Sequence, residues 1–206
     1  MSTDELFTLI ANHDIGRIAK ALADGADPNT IQDDGPGWRP LHASIEELEH
    51  GGSPDVVILL LRHGADVDGW DRDEQSTPLL MAFLREQLTV VRVLIAAGAS
   101  VDTLGAEGDT PLLCAVEMGD PELVRLVLLC SPTTTLERPR GLDGVNPLGL
   151  AASRLDASNV RAILAAGANP ETPDADYRRP AERMPARTVE NANSWNEIAA
   201  LLKPES

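Results

Sequence analysis

Histidine is the residue of this chain best suited to binding a metal, and its placement does not favour a metal site. No two histidines have the i, i+4 spacing, with a third ligand nearby, that a helical zinc site requires. The four histidines are His13, His42, His50 and His63. We therefore predict that the chain holds no metal.

Cysteine is the strongest candidate nucleophile, and only Cys114 and Cys130 occur. Both lie in apolar helical patterns, which are typical of buried thiols, and Cys114 has no nearby histidine to activate it. Phosphate-binding glycine motifs and a Gly-x-Ser-x-Gly motif are absent from the sequence. We predict that the chain is not an enzyme and needs no cofactor.

A repeat of prolines and glycines organises the chain. Prolines followed by leucine or a small residue recur every 33 to 38 positions, at 40, 78, 111, 147 and 180. Gly-Ala pairs form a second series, at 25, 64, 98 and 167. Proline is suited to the first turn of a helix, and glycine to the left-handed residue that follows a helix. Each repeat is therefore predicted to begin a helix at its proline and to end a helix at its glycine.

The apolar residues between proline and glycine keep a helical spacing. One repeat has Val90, Val91, Leu94 and Ile95, and the next repeat has the equivalent positions 123, 124, 127 and 128. Gly119, Asp120 and Pro121 interrupt the pattern midway, so two helices are predicted in each repeat. Each repeat is predicted to run helix, turn, helix and extended turn.

These repeats resemble the ankyrin repeat, which has a period of about 33 residues and a Thr-Pro-Leu-His opening. The opening is matched by Thr77-Pro78-Leu79, by Thr110-Pro111-Leu112 and in part by Pro40-Leu41-His42-Ala43. Gly64-Ala65-Asp66-Val67 matches the ending. The resemblance implies an all-α solenoid of stacked helix-turn-helix units with extended turns. It also implies a structural, hydrogen-bonding role for His42.

The repeat divides residues 1–206 into one domain of about six units, of which the outer two are caps. The predicted units are 2–32, 33–70, 71–104, 105–140, 141–173 and 174–206. Ser2 to Glu5 has the spacing of a capping box, and Trp195, Ile198, Leu201 and Leu202 form an apolar stripe that can close the stack. Arg39, Asn146 and Arg179 replace the threonine before proline. Residues 46–55 and 132–141 are predicted to be long loops.

The net charge of −16 limits the classes of partner. An acidic surface repels phosphate backbones and anionic lipids, so we expect neither nucleic acid nor membrane binding. It suits a protein with a basic surface, although acidity that only maintains solubility is an equal alternative. The N-terminal residues lack the basic start of a signal peptide, and the longest bulky apolar run, Val56 to Leu61, is short for a membrane span. We expect a cytoplasmic protein.

The resemblance also implies which positions contact a partner: the turn tips, the residue two before proline and the exposed side of the first helix. The tip positions are Ile31, Trp70, Leu104 and Pro173. Trp70 is the preferred anchor, because buried aromatic residues contribute much of the binding energy of protein interfaces, unless it folds back onto residues 71–74. Trp38, two before Pro40, is expected to form one patch with Trp70. The other candidates are Glu46, Glu47, Asp73, Glu74, Arg85, Asp109, Glu117 and Met118.

These observations predict a non-catalytic module that binds a partner protein on the concave face of the repeats. Within this class we favour an inhibitor or immunity protein that masks a basic toxin or enzyme. The alternative is a structural or assembly scaffold that acts by self-association, whereas the leading hypothesis expects a monomer when unbound. Fifteen arginines against two lysines are compatible with a GC-rich bacterial genome.

Overall fold

All regular structure that the computed structural model describes is helical. The described residues are 3–33, 35–73, 75–130, 136–139 and 144–203. They divide into two compact units, residues 1–106 (unit 1) and residues 107–206 (unit 2).

Unit 1 consists of three helix pairs. They are α1 (Thr3–Ala11) with α2 (Ile15–Ala23), α3 (Pro40–Glu46) with α4 (Pro54–Arg62), and α5 (Pro78–Leu84) with α6 (Leu88–Ala96). The first helices, α1, α3 and α5, pack beside one another, and so do the second helices, α2, α4 and α6. Two layers of parallel-stacked helices result.

Unit 2 repeats this arrangement with a different ending. Its helices are α7 (Pro111–Met118), α8 (Pro121–Cys130), α9 (Pro147–Ser153), α10 (Ala157–Ala165) and α11 (Ala192–Leu201). A short 3-10 helix, Pro180–Arg183, stands where the next first helix would be and packs against α9. Ile198 and Leu202 of the predicted terminal stripe are buried.

The predicted helix starts are confirmed, and side chains cap them. The Thr77 hydroxyl oxygen accepts a hydrogen bond from the Leu80 N–H at 3.4 Å, and that of Thr110 accepts one from the Leu113 N–H at 3.2 Å. Asn146 Oδ1 accepts from the Gly149 N–H at 2.7 Å. Each cap satisfies an N–H that the first turn leaves without a partner. Asn146 therefore performs the capping role of the threonine that it replaces.

The predicted helix ends are also confirmed. Gly25, Gly64, Gly98 and Gly167 follow second helices and have φ between +88° and +103°. In this left-handed region a Cβ atom is strained, which explains why glycine recurs there.

Extended turns connect the repeats and are closed by backbone hydrogen bonds. Gln32 N–H donates to the Trp38 carbonyl at 2.9 Å, and Asp71 N–H donates to the Ser76 carbonyl at 3.3 Å. One further bond joins these two turns, from Arg72 N–H to the Gly37 carbonyl at 2.9 Å. In unit 2, Ala175 N–H donates to the Gly144 carbonyl in the same manner, at 2.9 Å. Successive turns are thus fixed to each other within each unit.

One prediction about local structure was wrong. Cys130 was expected to be buried, but it is exposed at the last residue of α8; Cys114 is buried as expected. The lengthened connection predicted at residues 46–55 is present between α3, which ends at Glu46, and α4, which begins at Pro54, and part of it is helical. A 3-10 helix forms at Glu47–His50, Gly51 is left-handed, and Ser53 caps α4 with a hydrogen bond from the Asp55 N–H.

Three other predictions lie wholly or partly outside the described residues. Most of the predicted 132–141 loop is in this category, as are Ser2 of the capping box and Glu74. The division into six units remains a prediction.

Candidate protein interface

Three of the four residues predicted to form turn tips lie instead at the bases of the turns. Ile31, Trp70 and Pro173 each directly precede the residue whose N–H closes the turn. The tips are the residues that follow, such as Asp33 and residues 35–37. Ile31 and Trp70 are half-buried, and Leu104 is 48% exposed. The prediction was wrong for a geometric reason. The N–H group that closes each turn belongs to the residue directly after the predicted tip, so the predicted tip itself lies before the turn begins.

Trp38 borders a pocket of about 140 Å³ on the first-helix side of unit 1. Its carbonyl closes the first turn, which fixes the backbone at this residue. Eight residues from three elements line the pocket. They are Phe7, Ile10 and Ala11 of α1, Gln32, Pro36 and Trp38 of the turn, Ala43 of α3, and Glu47 directly after α3. The pocket is a mainly apolar recess with one carboxylate in its wall.

The predicted glutamates and arginine at the ends of the first helices are paired with each other. Arg85 Nε lies 2.7 Å from Glu46 Oε2 and 3.7 Å from Glu49 Oε1. His13 Nε2 lies 2.9 Å from Glu47 Oε2. Each pair joins neighbouring repeats. These side chains are half-exposed, so the ion pairs contribute little to stability. They do hold the charged groups in place at the ends of the first helices of unit 1.

The remaining predicted site residues are distributed over both units. Asp73 is exposed in the second turn of unit 1. Asp109 and Met118 are half-buried, and Glu117 is exposed; these three belong to unit 2. Trp70 is not among the residues that line the Trp38 pocket. The structure therefore brings together Trp38, Glu47 and their neighbours, and the joint patch of Trp38 and Trp70 remains a prediction.

Arg39 holds the turn of the candidate site in place, whereas its sequence position indicated only a departure from the repeat. Its guanidinium Nε donates to the Trp70 carbonyl and its Nη1 donates to the Asn29 carbonyl, both at 2.7 Å. One side chain thus fixes the ends of two successive repeats, on either side of the turn that bears Trp38. The sequence carried an indication of this role, because an arginine that replaces the capping threonine has a side chain long enough to reach neighbouring repeats.

His42 has the structural role that was expected of it. Its side chain is fully buried, and its Nε2 makes a 3.1 Å hydrogen bond with the Ser76 carbonyl in the next repeat. Burial lowers the pKa of His42 and outweighs the opposing effect of the Ser76 hydrogen bond. The imidazole is therefore neutral near pH 7.

The acidic charge is concentrated in unit 1. Residues 1–106 include 18 acidic and 7 basic side chains, a net charge of −11, whereas residues 107–206 include 15 and 10, a net charge of −5. The pocket and the paired glutamates therefore belong to the more strongly charged unit.

Two other features are absent from the residues that the structure describes, a group of metal ligands and a membrane-spanning helix. Among them, no three His, Cys, Asp or Glu side chains are grouped so that they could hold a metal ion. Within the same residues, no helix combines the length and the apolar character needed to cross a membrane.

Stacked helix pairs, capped openings and left-handed glycine endings within each unit define a helical repeat protein. Three copies of the ankyrin repeat match residues 6–105, and a further ankyrin repeat matches residues 107–133. The chain belongs to the ankyrin repeat family, and its fold is an all-α ankyrin-repeat solenoid. Ankyrin repeats are protein-interaction modules and are generally not catalytic.

Three known proteins illustrate the similarity. The chain is 30% identical over 132 residues to ankyrin repeat domain-containing protein M-T5 of Myxoma virus, a match that covers 61% of this chain and 27% of that protein. An ankyrin repeat domain from Acinetobacter baumannii AYE has a TM-score of 0.78 at 24% identity, covering 98% of this chain and 97% of the other.

The third similar protein is a chain from the solved structure of the Bd0816 predatory endopeptidase from Bdellovibrio bacteriovorus in complex with immunity protein Bd3460. It has a TM-score of 0.74 at 20% identity, and the match covers 97% of this chain and 99% of that chain.

Proposed function

We propose that this protein is an inhibitory binding module that masks a partner enzyme or toxin with a basic surface. The observation that carries the proposal is the Trp38 pocket, which opens among paired glutamates on the turn and first-helix side of unit 1. The site residues of this proposal are Trp38 and Glu47, with Trp70 and Ile31 at the bases of the adjacent turns.

The pocket supports binding to a protein because it supplies the concave anchor point that interface hot spots occupy. Hot-spot residues are often aromatic, lie in pockets that exclude water, and contribute about 2 kcal/mol or more each. Arg39 and the turn-to-turn hydrogen bonds hold the surroundings of Trp38 in place before binding. Such preorganisation reduces the entropy that binding costs.

The net charge of −11 on unit 1 supports a basic partner. Opposite charges on two proteins accelerate their encounter, and an acidic surface also repels acidic partners. The inhibitory role is supported by the similarity of the fold to a chain from an endopeptidase and immunity protein complex. A module of this kind inhibits by covering the surface of its partner.

The test combines capture of a partner with inhibition of its activity. The chain is used to capture proteins from the source cells, and the captured protein is purified and assayed with increasing amounts of the wild-type chain. We expect a basic enzyme whose activity falls to near zero at one equivalent. A captured enzyme that stays fully active when saturated with the chain would exclude masking of its active site.

Two variants that change the pocket in opposite ways locate the interface. Trp38→Ala removes part of its wall, and Ala43→Gln fills it from α3 with a residue that favours helix. Each is expected to weaken binding by about thirtyfold, the equivalent of ~2 kcal/mol. Trp195→Ala, in unit 2, is the matched control for loss of an indole. Undiminished binding by both pocket variants would contradict this location.

Self-association is a second candidate function, and one observation favours it. An apolar groove of about 400 Å³ lies between α8 and α10 of unit 2, and Leu129 beside it is 84% exposed. A large exposed leucine next to an apolar groove is typical of surfaces that bind another protein. Light scattering at micromolar to millimolar concentrations tests this alternative. A dimer that Leu129→Ser dissociates would support it, and a monomer throughout would exclude it.

A further inference from the structure

The Trp38 pocket has the size of a single side chain. Its volume of about 140 Å³ is close to that of the ~150 Å³ protein cavity known to hold one benzene molecule. Because Phe7 and Ile10 contribute to its walls, it is mainly apolar. It can therefore enclose one anchor residue of a partner, and the chemistry of its walls decides which residue that is.

Glu47 disfavours a purely apolar anchor. Its side chain is 25% exposed, and one oxygen, Oε2, receives the contact from His13. A carboxylate accepts at about four lone-pair positions, so further acceptor capacity remains for a donor that enters the pocket. An apolar side chain would remove water from this carboxylate without replacing its hydrogen bonds, which is unfavourable.

The surrounding charges favour a cation. None of the eight residues that line the pocket is basic. The basic groups around it are already engaged: His13 contacts Glu47, Arg85 lies between Glu46 and Glu49, and the guanidinium groups of Arg39 and Arg72 donate to backbone carbonyls of the turns. Glu47 is the charged member of the lining, and unit 1 as a whole has a net charge of −11, so the pocket is negative. A cationic side chain that enters it thus meets an excess of carboxylate.

Tryptophan adds a preference among cations. The indole ring attracts a cation above its face, and the planar guanidinium of arginine also stacks on aromatic rings while its N–H groups bind a carboxylate. The aliphatic stem of arginine suits the apolar walls contributed by α1. We propose that the Trp38 pocket binds an arginine side chain of the partner protein, with its stem against Phe7 and Ile10 and its guanidinium between Trp38 and Glu47. This inference rests on the proposed function and names the chemistry of the anchor.

Short peptides test the proposal without knowledge of the partner. The 15N-labelled protein has three indole N–H resonances, from Trp38, Trp70 and Trp195. Each resonance is assigned with the corresponding single Trp→Phe variant. The chain is titrated with the capped tripeptides Gly-Arg-Gly, Gly-citrulline-Gly, Gly-Lys-Gly and Gly-norleucine-Gly. We expect the arginine peptide to shift the Trp38 indole saturably. The neutral citrulline and norleucine peptides should bind about tenfold more weakly, and the lysine peptide severalfold more weakly.

A matched pair of variants separates the pocket from general acidity. Glu47→Gln neutralises the carboxylate in the pocket wall, whereas Glu49→Gln neutralises a neighbouring carboxylate that does not line the pocket. Glu47→Gln should weaken the arginine peptide at least fivefold, and Glu49→Gln less than twofold. Equal losses in the two variants, or equal binding of norleucine or lysine peptides, would overturn the proposal.

The two proposals can fail independently. A captured partner that both pocket variants release, with no response of the Trp38 indole to the arginine peptide, would retain the proposed function and reject the arginine anchor. A specific response to the arginine peptide, with no partner lost from the pocket variants, would support the anchor site and reject the proposed function.

Discussion

Replacement of Gly98 tests whether the repeat boundary rests on backbone conformation alone. Gly98 follows α6 with φ of +92°, and its N–H donates to the Ile95 carbonyl at 3.0 Å. A Cβ atom built at this residue has no neighbour within 4 Å. A larger side chain therefore meets no steric obstacle beyond its own backbone. Any loss of stability on substitution comes from the left-handed conformation.

The size of the effect follows from that conformation. A left-handed residue with a Cβ atom costs about 1–2 kcal/mol, so Gly98→Ala should lower the free energy of unfolding by about 1 kcal/mol. Valine is β-branched and stiffer, and we expect a loss of about 2–3 kcal/mol for Gly98→Val. Asparagine adopts this region more readily, so Gly98→Asn should lose less than alanine does.

Urea unfolding followed by circular dichroism measures these differences, and thermal unfolding gives an independent value. For a chain of this length, 1 kcal/mol corresponds to about 2–4 °C in Tm, so Gly98→Val should melt at least about 4 °C lower. Gly16 offers a matched control because it lies within α2, and a Cβ there makes an ordinary 3.7 Å contact with Asp14. Gly16→Ala should stabilise the protein by up to about 1 kcal/mol, since alanine favours helix.

The order of the variants is the decisive result. Conformational strain predicts that stability falls in the order glycine, asparagine, alanine, valine at position 98, while alanine at position 16 is neutral or stabilising. Unchanged stability in Gly98→Val, or equal losses for alanine at both positions, would refute the reasoning and the assigned end of this repeat.

Two further predictions concern contacts between repeats. Arg39→Ala should lower the free energy of unfolding by about 2 kcal/mol in urea, because the Asn29 and Trp70 carbonyls lose a charged donor; a change below about 0.5 kcal/mol would contradict this role. The lowered pKa of His42 implies that the unfolded chain binds more protons below its ordinary pKa of about 6.5. Stability should therefore fall as pH decreases from about 7.5 to 5, and His42→Gln should reduce that slope.

Much of the fold was predictable because it depends on local rules. Proline has a fixed φ that fits a first turn and glycine tolerates the left-handed region, so Pro78 after a capping threonine and Gly98 after an apolar helical pattern indicate a helix start and a helix end. Thr77 and Thr110 cap the helices that follow them by accepting from N–H groups three residues along the chain, which sequence spacing indicates. The burial of Cys130 was predicted wrongly because apolar periodicity does not determine how the last turn of a helix is covered.

Much less of the candidate site was predictable. The choice of Trp38, Glu46, Glu47 and Arg85 depended on the family resemblance, which gives positions and not contacts. The sequence could not predict that Glu46 and Arg85, 39 residues apart, pair with each other. The predicted turn tips lie just before the turns because the closing hydrogen bond, from Asp71 to Ser76 in the second turn, depends on turn geometry that composition does not determine.

The sequence by itself determined the repeat, the two helices of each repeat and the acidic character of the first half, since each follows from residue type and spacing. Only the tertiary structure decided where a pocket forms. Phe7 and Ile10 reach Trp38 and Glu47 because stacking brings residues about thirty to forty positions apart into contact. Arg39 bridges two turns for the same reason. Spacing along a chain constrains the conformation of neighbouring residues, whereas a binding surface depends on distances between residues that folding alone brings together.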